Sequence, residues 1–266
     1  MTQRLDAALA VRGLARSRTH AAGLITEGLV SVDGRTVVKP STHVSDDAAL
    51  EVAGADHYVS RAAHKLIAAL DAFDVPVSGR LALDLGASTG GFTQVLRERG
   101  ADPVIALDVG HGQIVASVAE DPRVIVVEGF NARDLTPSAL QGVTGVDAAP
   151  ELITGDLSFI SLGHVLAPIR SVLAPGGDVV LLIKPQFEVG RTAVKGGLVT
   201  DAGVRADAVT GVLWEAWDAG FGTLGLISSP LVGTHGNAEF VAHFAVDRGS
   251  NPTDWLSTAS RLAGER

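Results

Sequence analysis

The sequence contains no cysteine and few aromatic residues, since only 5% of its 266 residues are Phe, Trp or Tyr. The absence of cysteine excludes disulfide scaffolds, thiol catalysis and thiolate metal sites, and it is compatible with a reducing cytosol. Long apolar runs are also missing, because the densest, Val179–Ile183, is far shorter than the roughly 20 residues that cross a bilayer. The first residues, Met1–Asp6, lack the apolar core of a signal peptide. We therefore expect a cytoplasmic protein with no membrane partner.

Positive charge is scarce, because 21 Lys and Arg residues are outnumbered by 30 Asp and Glu residues, for a net charge of -9. This balance argues against indiscriminate binding of nucleic acids, but it leaves room for a local basic surface. The segment Arg4–Lys39 has six basic residues against three acids, whereas Pro40–Val59 has four acids and neither Lys nor Arg. We therefore predict a small module in residues 1–56, a linker in 57–60 and a larger domain in 61–266.

Residues 1–56 have the pattern of a small α+β module. Leu5 and Leu9 share one face of a short helix, and a second helix is predicted for residues 19–29. Alternating apolar residues around the pair Asp33-Gly34 then predict a hairpin. Arginines lie between and beside the two helices. For a few arginines alone, a solvated face explains them at least as well as a binding function does.

From Ser60 onward the sequence alternates between strand and helix patterns. After a helix over residues 60–73, seven strands are predicted at residues 81–85, 104–109, 124–128, 152–156, 179–184, 224–228 and 240–246. Helices are predicted between most of them, at residues 92–99, 112–119, 161–173 and 205–219. The alternation predicts an α/β fold with a seven-stranded, mostly parallel sheet and ligands at the carboxyl ends of the strands. The last two strands have no helix between them and are expected to form an antiparallel edge.

The turn after the first strand has the features of a cofactor site. The strand carries Asp84, and the turn Gly86–Gly91 contains three glycines that let the backbone approach a ligand closely. Its spacing is not the G-x-G-x-x-G of dinucleotide-binding enzymes, which argues against a dehydrogenase. Asp84 suits an amino-acid-like cation better than a pyrophosphate. Asp108, at the end of the next strand, can accept both hydroxyls of a ribose.

A third cluster, Gly129–Asp134, follows the third strand and is suited to line an adenine pocket. If only the glycines were present, an ordinary strand-to-helix turn would explain them. It would not explain Asp108, which lies at the end of the next strand. This order of elements is typical of Rossmann-like class I methyltransferases, which use S-adenosylmethionine. The predicted cofactor-binding residues are Asp84, Gly86, Ser88, Gly90, Gly91, Phe92, Asp108, Asn131 and Ala132.

Charged residues follow two further strands. Asp156 ends the fourth strand, and Lys184 lies between the most apolar strand and Pro185. Burying an ammonium group is costly unless a carboxylate pairs with it, so Asp156 or Glu239 is expected beside Lys184. Lys65 is a further candidate, because it lies off the apolar stripe of its helix. Taken singly, Lys65 and Glu239 are more often surface charges.

The larger domain resembles the FtsJ/RrmJ-like ribose 2′-O-methyltransferases, whose active sites use a Lys-Asp-Lys-Glu tetrad. The residues that match this tetrad one by one are Lys65, Asp156, Lys184 and Glu239. The segments Arg4–Leu9, Ser17–Arg18 and Val30–Gly34 resemble the small RNA-binding domain that is named after a ribosomal small-subunit protein. Together they resemble the TlyA family, also called hemolysin A, over nearly the whole chain. The resemblance implies cytidine in small- or large-subunit ribosomal RNA as the substrate.

The residue types predict a mechanism without a metal. Lys184 would activate the ribose hydroxyl, and Asp156 would orient Lys184, while Lys65 and Glu239 would position the ribose. The expected partner is ribosomal RNA or a ribosomal subunit, with no stable protein partner, and the glycine-containing segment 185–200 is expected to close over the RNA. The predicted RNA contacts are Arg4, Arg12, Arg16, Arg18, Arg61, Arg191 and Lys195.

Three alternatives stay open at this point. Asp156–Phe159 is reminiscent of the acidic-Pro-Pro-aromatic motif of base amino-methyltransferases, but the prolines are absent and that chemistry gives no role to Lys184 or Glu239. The historical name of the family suggests a membrane-active hemolysin, for which the chain shows no basic amphipathic stripe. A catalytically silent RNA-binding protein would not need all four charged residues of the tetrad.

Overall fold

The computed structural model of the chain describes residues 2–15, 17–26, 28–52, 57–190, 194, 196–233 and 236–264. Three predicted RNA contacts, Arg16, Arg191 and Lys195, lie outside the described residues, as does part of the segment 185–200 that we expect to close over RNA. The chain divides into two compact units, Met1–Tyr58 and Val59–Arg266. The predicted linker, residues 57–60, lies across this division.

The first unit is a small α+β module. Its elements are β1 (Thr2–Arg4), α1 (Leu5–Val11), α2 (Arg18–Thr26), β2 (Val30–Val32), β3 (Arg35–Thr36), β4 (His43–Ser45) and β5 (Leu50–Val52). The predicted hairpin is confirmed, since β2 pairs antiparallel with β3 across a turn in which Asp33 and Gly34 both have positive φ. The hairpin twist that joins two such strands favours these two residue types at that turn.

The module buries its own apolar core between the helices and the short strands. Leu5, Leu9 and Ile25 are fully buried, and they come from the two helices that the sequence predicts. The sequence pattern missed the pairing of β1 with β4 and of β2 with β5. These strands have only three residues each, which is too short for a periodic pattern to emerge.

Arg12, a predicted RNA contact, holds the loop that joins β4 to β5. Its guanidinium donates to the carbonyl oxygens of Ala48 (2.6 Å), Asp46 (2.8 Å) and Ser45 (3.0 Å). A charged donor that bonds three backbone carbonyls stabilises the loop that it spans. The structure therefore gives Arg12 a role inside the module.

We expect Arg12→Ala to destabilise the module by about 1–2 kcal/mol, because the three carbonyls exchange a charged donor for water. Hydrogen exchange of the backbone amides in residues 43–52 measures the effect, and these amides should exchange faster in the variant. Arg35→Ala, which removes an exposed arginine from β3, is the matched control. If these amides exchange at the same rate in Arg12→Ala and Arg35→Ala, Arg12 does not stabilise the module.

The second unit is built around a seven-stranded sheet. Its helices are α3 (Ala62–Phe73), α4 (Gly91–Glu98), α5 (Ala116–Ala119), α6 (Pro137–Thr144), α7 (Gly163–Val172), α8 (Pro185–Glu188), α9 (Ala202–Asp218) and α10 (Leu256–Gly264). Its strands are β6 (Ala82–Leu85), β7 (Val104–Asp108), β8 (Val124–Glu128), β9 (Leu152–Gly155), β10 (Asp178–Ile183), β11 (Phe221–Ser228) and β12 (Phe240–Val246). The predicted α/β fold with a mostly parallel sheet is confirmed.

The strand order across the sheet is β11-β12-β10-β9-β6-β7-β8. Strands β6 to β10 run parallel to one another, whereas β12 is antiparallel to both β10 and β11. The chain first adds β7 and β8 on one side of β6 and then returns to place β9 on the other side. The carboxyl ends of β6 and β9 therefore form the topological switch point, where ligands bind in open α/β sheets.

Several element boundaries differ from the sequence prediction, and two of the differences have a local cause. Residues 112–115 are not helical, because Gly112 has a positive φ and Gln113 folds back against Gly110. Strand β11 begins at Phe221, directly after Gly220 ends the preceding helix with a positive φ. The expected antiparallel edge is confirmed, since β11 and β12 pair antiparallel at one side of the sheet and β12 is also antiparallel to β10.

The sheet core is apolar along its centre, and every residue of β10 is buried. The one acid of β10, Asp178, lies at the amino end of that strand and accepts hydrogen bonds from Arg80, His243 and Arg248. Although burial raises the pKa of Asp178, these hydrogen bonds hold it well below its usual range. Asp178 therefore joins β10 to the surrounding elements at the end of the sheet opposite the switch point.

Candidate active site

Four charged side chains meet at the carboxyl end of the sheet. Lys65 from α3 places its Nζ 2.6 Å from Glu239 Oε2 and 3.6 Å from Asp156 Oδ2. Lys184, which directly follows β10, places its Nζ 2.6 Å from the other oxygen of Asp156. The order of contacts is therefore Glu239, Lys65, Asp156 and Lys184, with Asp156 bridging the two lysines.

The four side chains are largely removed from solvent. Lys65, Lys184 and Glu239 are 9%, 7% and 4% exposed, and the side chain of Asp156 is 15% exposed. Burying one charge is costly, but two cations and two carboxylates leave the cluster near neutral, which makes the burial tolerable. Sequence reasoning expected these residues together, and the structure brings all four into one connected cluster.

Lys184 is held in place by its local sequence. Pro185 occupies the first turn of α8, where its missing N–H leaves no bond unmade, and Lys184 is the residue that caps this helix. The Nζ of Lys184 also donates to Ser158 Oγ at 2.8 Å and lies 6.0 Å from the ring centroid of Phe187. Ser158 and Phe187 were not among the predicted site residues.

An exposed aromatic ring lies beside this lysine. Phe159 is 92% exposed and has a positive φ of 64°, and its ring centroid lies 5.2 Å from that of Phe187. Exposing a phenyl ring from a left-handed backbone conformation is unfavourable unless the ring has a function. The sequence placed Phe159 only in a motif of a rival function, and nothing in the pattern indicates its exposure.

Glu188 connects the two loops that carry Asp156 and Lys184. Its carboxylate accepts a hydrogen bond from Ser161 Oγ (2.6 Å) and another from the backbone N–H of Leu162 (3.1 Å). Burial raises the pKa of Glu188 above its usual value. The end of α8 is thereby fixed to the start of α7, which limits the movement of both loops.

The turn between β6 and α4 favours glycine at three positions. Gly86 and Gly90 have φ angles of 76° and 99°. A Cβ at Gly86 would lie 3.2 Å from the carbonyl oxygen of Asp156, and one at Gly90 would lie 3.0 Å from a methyl carbon of Val118. Gly91 also lacks room, since its Cβ would lie 2.7 Å from that of Ser60. These close approaches leave a narrow backbone cradle at the switch point.

Asp108 ends β7 beside this cradle. Its Oδ2 accepts the N–H of Ser88 at 2.8 Å, and its Oδ1 accepts the N–H of Gly110 at 2.7 Å. These two bonds orient the carboxylate, and each oxygen keeps a further lone pair that can accept a ribose hydroxyl. Asn131, in the loop after β8, accepts the N–H of Arg133 and starts a short helical turn at Ala132.

Asp84, near the end of β6, is fully buried. It accepts hydrogen bonds from the hydroxyls of Thr93 (2.7 Å) and Thr154 (3.1 Å), and among the described residues it has no ion pair with a cation. Burial raises the pKa of Asp84 to about 7, and the nearby charge of Asp156 adds to this effect. A carboxylate in such a position is suited to a cationic ligand.

The predicted RNA contacts outside the site have different surroundings. Arg4 and Arg18 both approach Asp6, at 2.8 Å and 3.6 Å, with side chains that are 44% and 62% exposed. The hydrogen bond from Arg4 lowers the pKa of Asp6 to about 2. Arg61 is exposed and immediately precedes α3, the helix that carries Lys65.

Within the described ranges, no group of three or more His, Asp or Glu side chains could hold a metal ion. None of the helices in those ranges is both long and apolar enough to cross a membrane.

The glycine cradle at the switch point, the oriented acid on the neighbouring strand and the buried carboxylate of Asp84 fit a nucleoside-bearing sulfonium. Together with the fold, they define a Rossmann-like methyltransferase that depends on S-adenosylmethionine. The predicted cofactor and enzyme class are confirmed.

The family follows from comparison with known proteins. The model of the FtsJ-like methyltransferases matches residues 58–246, and that of the S4 domain matches residues 3–49. The chain therefore belongs to the FtsJ-like methyltransferase family and carries an S4 domain, as the sequence resemblance predicted.

Several relatives are similar over most of their length. The 16S/23S rRNA (cytidine-2′-O)-methyltransferase TlyA of Mycobacterium tuberculosis is 50% identical over 240 residues, which are 89% of this chain and 87% of that protein. Hemolysin A of Brachyspira hyodysenteriae is 38% identical over 91% of this chain and 100% of that protein. A solved structure from Streptococcus thermophilus, described as a hemolysin, is 35% identical, with a TM-score of 0.78, over 98% of this chain and 94% of that one.

Proposed function

We propose that this protein transfers a methyl group from S-adenosylmethionine to the 2′-hydroxyl of a cytidine in ribosomal RNA. The observation that carries the proposal is the buried cluster of Lys65, Asp156, Lys184 and Glu239 at the switch point. The activity in the name of the Mycobacterium tuberculosis relative supports the same substrate. A cytoplasmic location follows from a ribosomal substrate.

S-adenosylmethionine supplies a methyl group that its sulfonium already makes electrophilic, so the protein mainly has to align the hydroxyl and take up its proton. Lys184 Nζ accepts a hydrogen bond from the hydroxyl and receives its proton. Asp156 Oδ1, at 2.6 Å, accepts a hydrogen bond from Nζ and orients it toward the hydroxyl. No metal takes part.

Lys65 and Glu239 act on position and charge. Lys65 holds the second oxygen of Asp156 at 3.6 Å, so that the first oxygen stays directed toward Lys184. Glu239 balances the charge of Lys65 and accepts a hydrogen bond from its ammonium. In this arrangement Lys65 and Glu239 also form part of the wall around the ribose.

We assign S-adenosylmethionine to the cradle and the loops around it. Asp84 faces the amino-acid part of the cofactor, Asp108 accepts its ribose hydroxyls, and the loop after β8 lines the adenine. The residues that we propose to bind the cofactor are Asp84, Gly86, Ser88, Gly90, Gly91, Phe92, Asp108, Asn131 and Ala132.

RNA contacts come from both units in this proposal. Arg4, Arg18 and Arg61 bind phosphates, and Arg16, Arg191 and Lys195 stay predicted contacts that lie outside the described residues. Phe159 is exposed beside Lys184, the lysine that activates the hydroxyl. We propose that its ring stacks on an RNA base that is unpaired from its RNA helix when the nucleotide reacts. The acidic residues elsewhere in the chain weaken nonspecific binding of RNA. The small basic surface therefore favours one folded RNA surface that matches it.

Incubation of the purified protein with ribosomal subunits and S-adenosylmethionine tests the function. After complete nuclease digestion, mass analysis should find a cytidine that carries one added methyl group on its ribose. The modified linkage should also resist alkaline cleavage, because its 2′-oxygen can no longer attack the phosphate. A methyl group on a base with unchanged alkaline cleavage would instead establish the rival base methyltransferase.

A further inference from the structure

The loop between β11 and β12 holds Glu239 against Lys65 through a residue that has no side chain. A Cβ at Gly233 would overlap Glu239 Oε1 and would lie 2.7 Å from the carboxyl carbon. Gly233 is not among the described residues with a positive φ, so the backbone conformation does not demand glycine there. The requirement at this position is space for a carboxylate.

Backbone hydrogen bonds hold Gly233 close to Glu239. The N–H of Gly233 donates to the carbonyl oxygen of Asn237 at 2.8 Å, and the N–H of Gly236 donates back to Gly233 at 3.0 Å. The N–H of Ser229 donates to the carbonyl oxygen of Glu239, also at 2.8 Å. A methyl group added at residue 233 would therefore displace the carboxylate of Glu239 more readily than the backbone.

The side chain of Asn237 fixes the same loop from its other face. Asn237 is 3% exposed, its Oδ1 accepts the N–H of Val199 at 3.1 Å, and its Nδ2 donates to the carbonyl oxygen of Gly197 at 2.7 Å. Buried Arg205 in turn donates to the carbonyl oxygens of Val199 and Thr200. Two buried polar side chains thus tie the loop of Glu239 to the start of α9.

We propose that Gly233 and Asn237 are positioning residues for methyl transfer, which keep Glu239 on Lys65. This inference rests on the proposed function. If Glu239 is displaced, Lys65 keeps only Asp156 as a carboxylate partner within the tetrad and draws it away from Lys184. Lys184 then loses the carboxylate that orients it, while the cofactor cradle at β6 and β7 is unchanged.

The test uses the full chain with ribosomal subunits and measures 2′-O-methylcytidine under single-turnover conditions. We expect Gly233→Ala to lower the rate roughly 10- to 100-fold, as expected for a catalytic group that is misplaced by about 1 Å. The dissociation constant of S-adenosylmethionine, measured by calorimetry, should stay within about twofold of the wild-type value. Gly211→Ala, on the open face of α9 where a Cβ meets no atom within 4 Å, is the matched control and should keep full activity.

A double-mutant cycle separates positioning from a general loss of structure. In a Glu239→Gln background, whose remaining activity sets the baseline, Gly233→Ala should cause no comparable further loss. Asn237→Asp keeps the acceptor for Val199 and loses the donor to Gly197, so it provides a second variant that should be silent in the same background. Thermal unfolding shows whether Gly233→Ala and Asn237→Asp are folded. If one of them is not, the methylation rate of the other variant tests the inference.

Either of two results would overturn the inference: a wild-type rate in both folded variants, or equal losses in the wild-type and Glu239→Gln backgrounds. Failure of the proposed function has a different signature, because the wild-type protein itself would then form no 2′-O-methylcytidine on ribosomal subunits.

Discussion

Replacing Lys184 with alanine is expected to lower the rate of methyl transfer by about 10³-fold or more, because the hydroxyl loses the group that takes its proton. The affinity for S-adenosylmethionine should change by less than about twofold, since Lys184 lies outside the cradle formed by Gly86 and Gly90. Single-turnover kinetics on ribosomal subunits measures the rate, and calorimetry measures the affinity. The large effect on one quantity and the small effect on the other distinguish catalysis from binding.

Two further variants sharpen this result. Lys184→Met keeps most of the length and apolar contact of the side chain, so its loss of activity reports on the amine and not on packing. Arg170→Met removes an exposed cation from α7 and should leave the rate unchanged. Full activity in Lys184→Ala would exclude Lys184 as the base and, with it, the mechanism proposed above.

Asp84→Asn is expected to stabilise the protein at pH 8 while weakening its cofactor binding. Burial raises the pKa of Asp84 from 3.8 to about 7, so the unfolded chain releases this proton first as the pH rises. The free energy of unfolding therefore falls between about pH 4 and pH 7, by at most about 4 kcal/mol for this one group, and stays low above pH 7. Asparagine has no charge to bury and avoids this cost.

The corresponding measurement is thermal unfolding of the wild-type protein and Asp84→Asn from pH 4.5 to pH 8. The melting temperature of the variant should exceed that of the wild type at pH 8, and the difference should narrow toward the acidic end. Asp207→Asn, an exposed acid on α9, serves as the matched control with no such trend. If Asp84→Asn is less stable than the wild type at every pH, the ionised carboxylate of Asp84 does not destabilise the folded protein as we expect.

Cofactor affinity should move in the opposite direction to stability. Losing a buried carboxylate that faces a cationic ligand is expected to weaken S-adenosylmethionine binding at pH 8 by at least about tenfold. In the wild type this affinity should rise with pH through about 7, as Asp84 ionises, and in Asp84→Asn the rise should disappear. If Asp84→Asn raises the stability of the protein and weakens cofactor binding, Asp84 lowers the stability of the folded protein in favour of its function.

Much of the fold could be predicted from local pattern. The run of apolar residues in β10, the glycine turn after β6 and the pair Asp33-Gly34 each restrict the backbone within a few residues. Strands that alternate with helices then favour a parallel sheet, and this places Asp84, Asp108 and Asp156 at one edge. The candidate cofactor site follows from that placement together with the spacing of the glycines.

The remaining features depend on contacts between distant parts of the chain. Lys65 and Glu239 are separated by 174 positions, and only the insertion of β12 beside β10 brings them together. The same holds for the overlap that Gly233 avoids, since the sequence shows a glycine but not the carboxylate that needs its space. The hydrogen bonds of Arg12 to three carbonyl oxygens of its own module are a further case, while its contact with RNA stays a prediction.

We propose that the cluster of Lys65, Asp156, Lys184 and Glu239 directs methyl transfer to the ribose of a cytidine in ribosomal RNA. Mass mapping of ribosomal RNA tests it most directly, in cells that lack this protein and carry either the wild-type chain or Lys184→Ala. We expect that a 2′-O-methylcytidine is absent without the protein, returns with the wild-type chain and does not return with Lys184→Ala. The same methylation pattern in all of these cells, or a mark that Lys184→Ala restores, would contradict it.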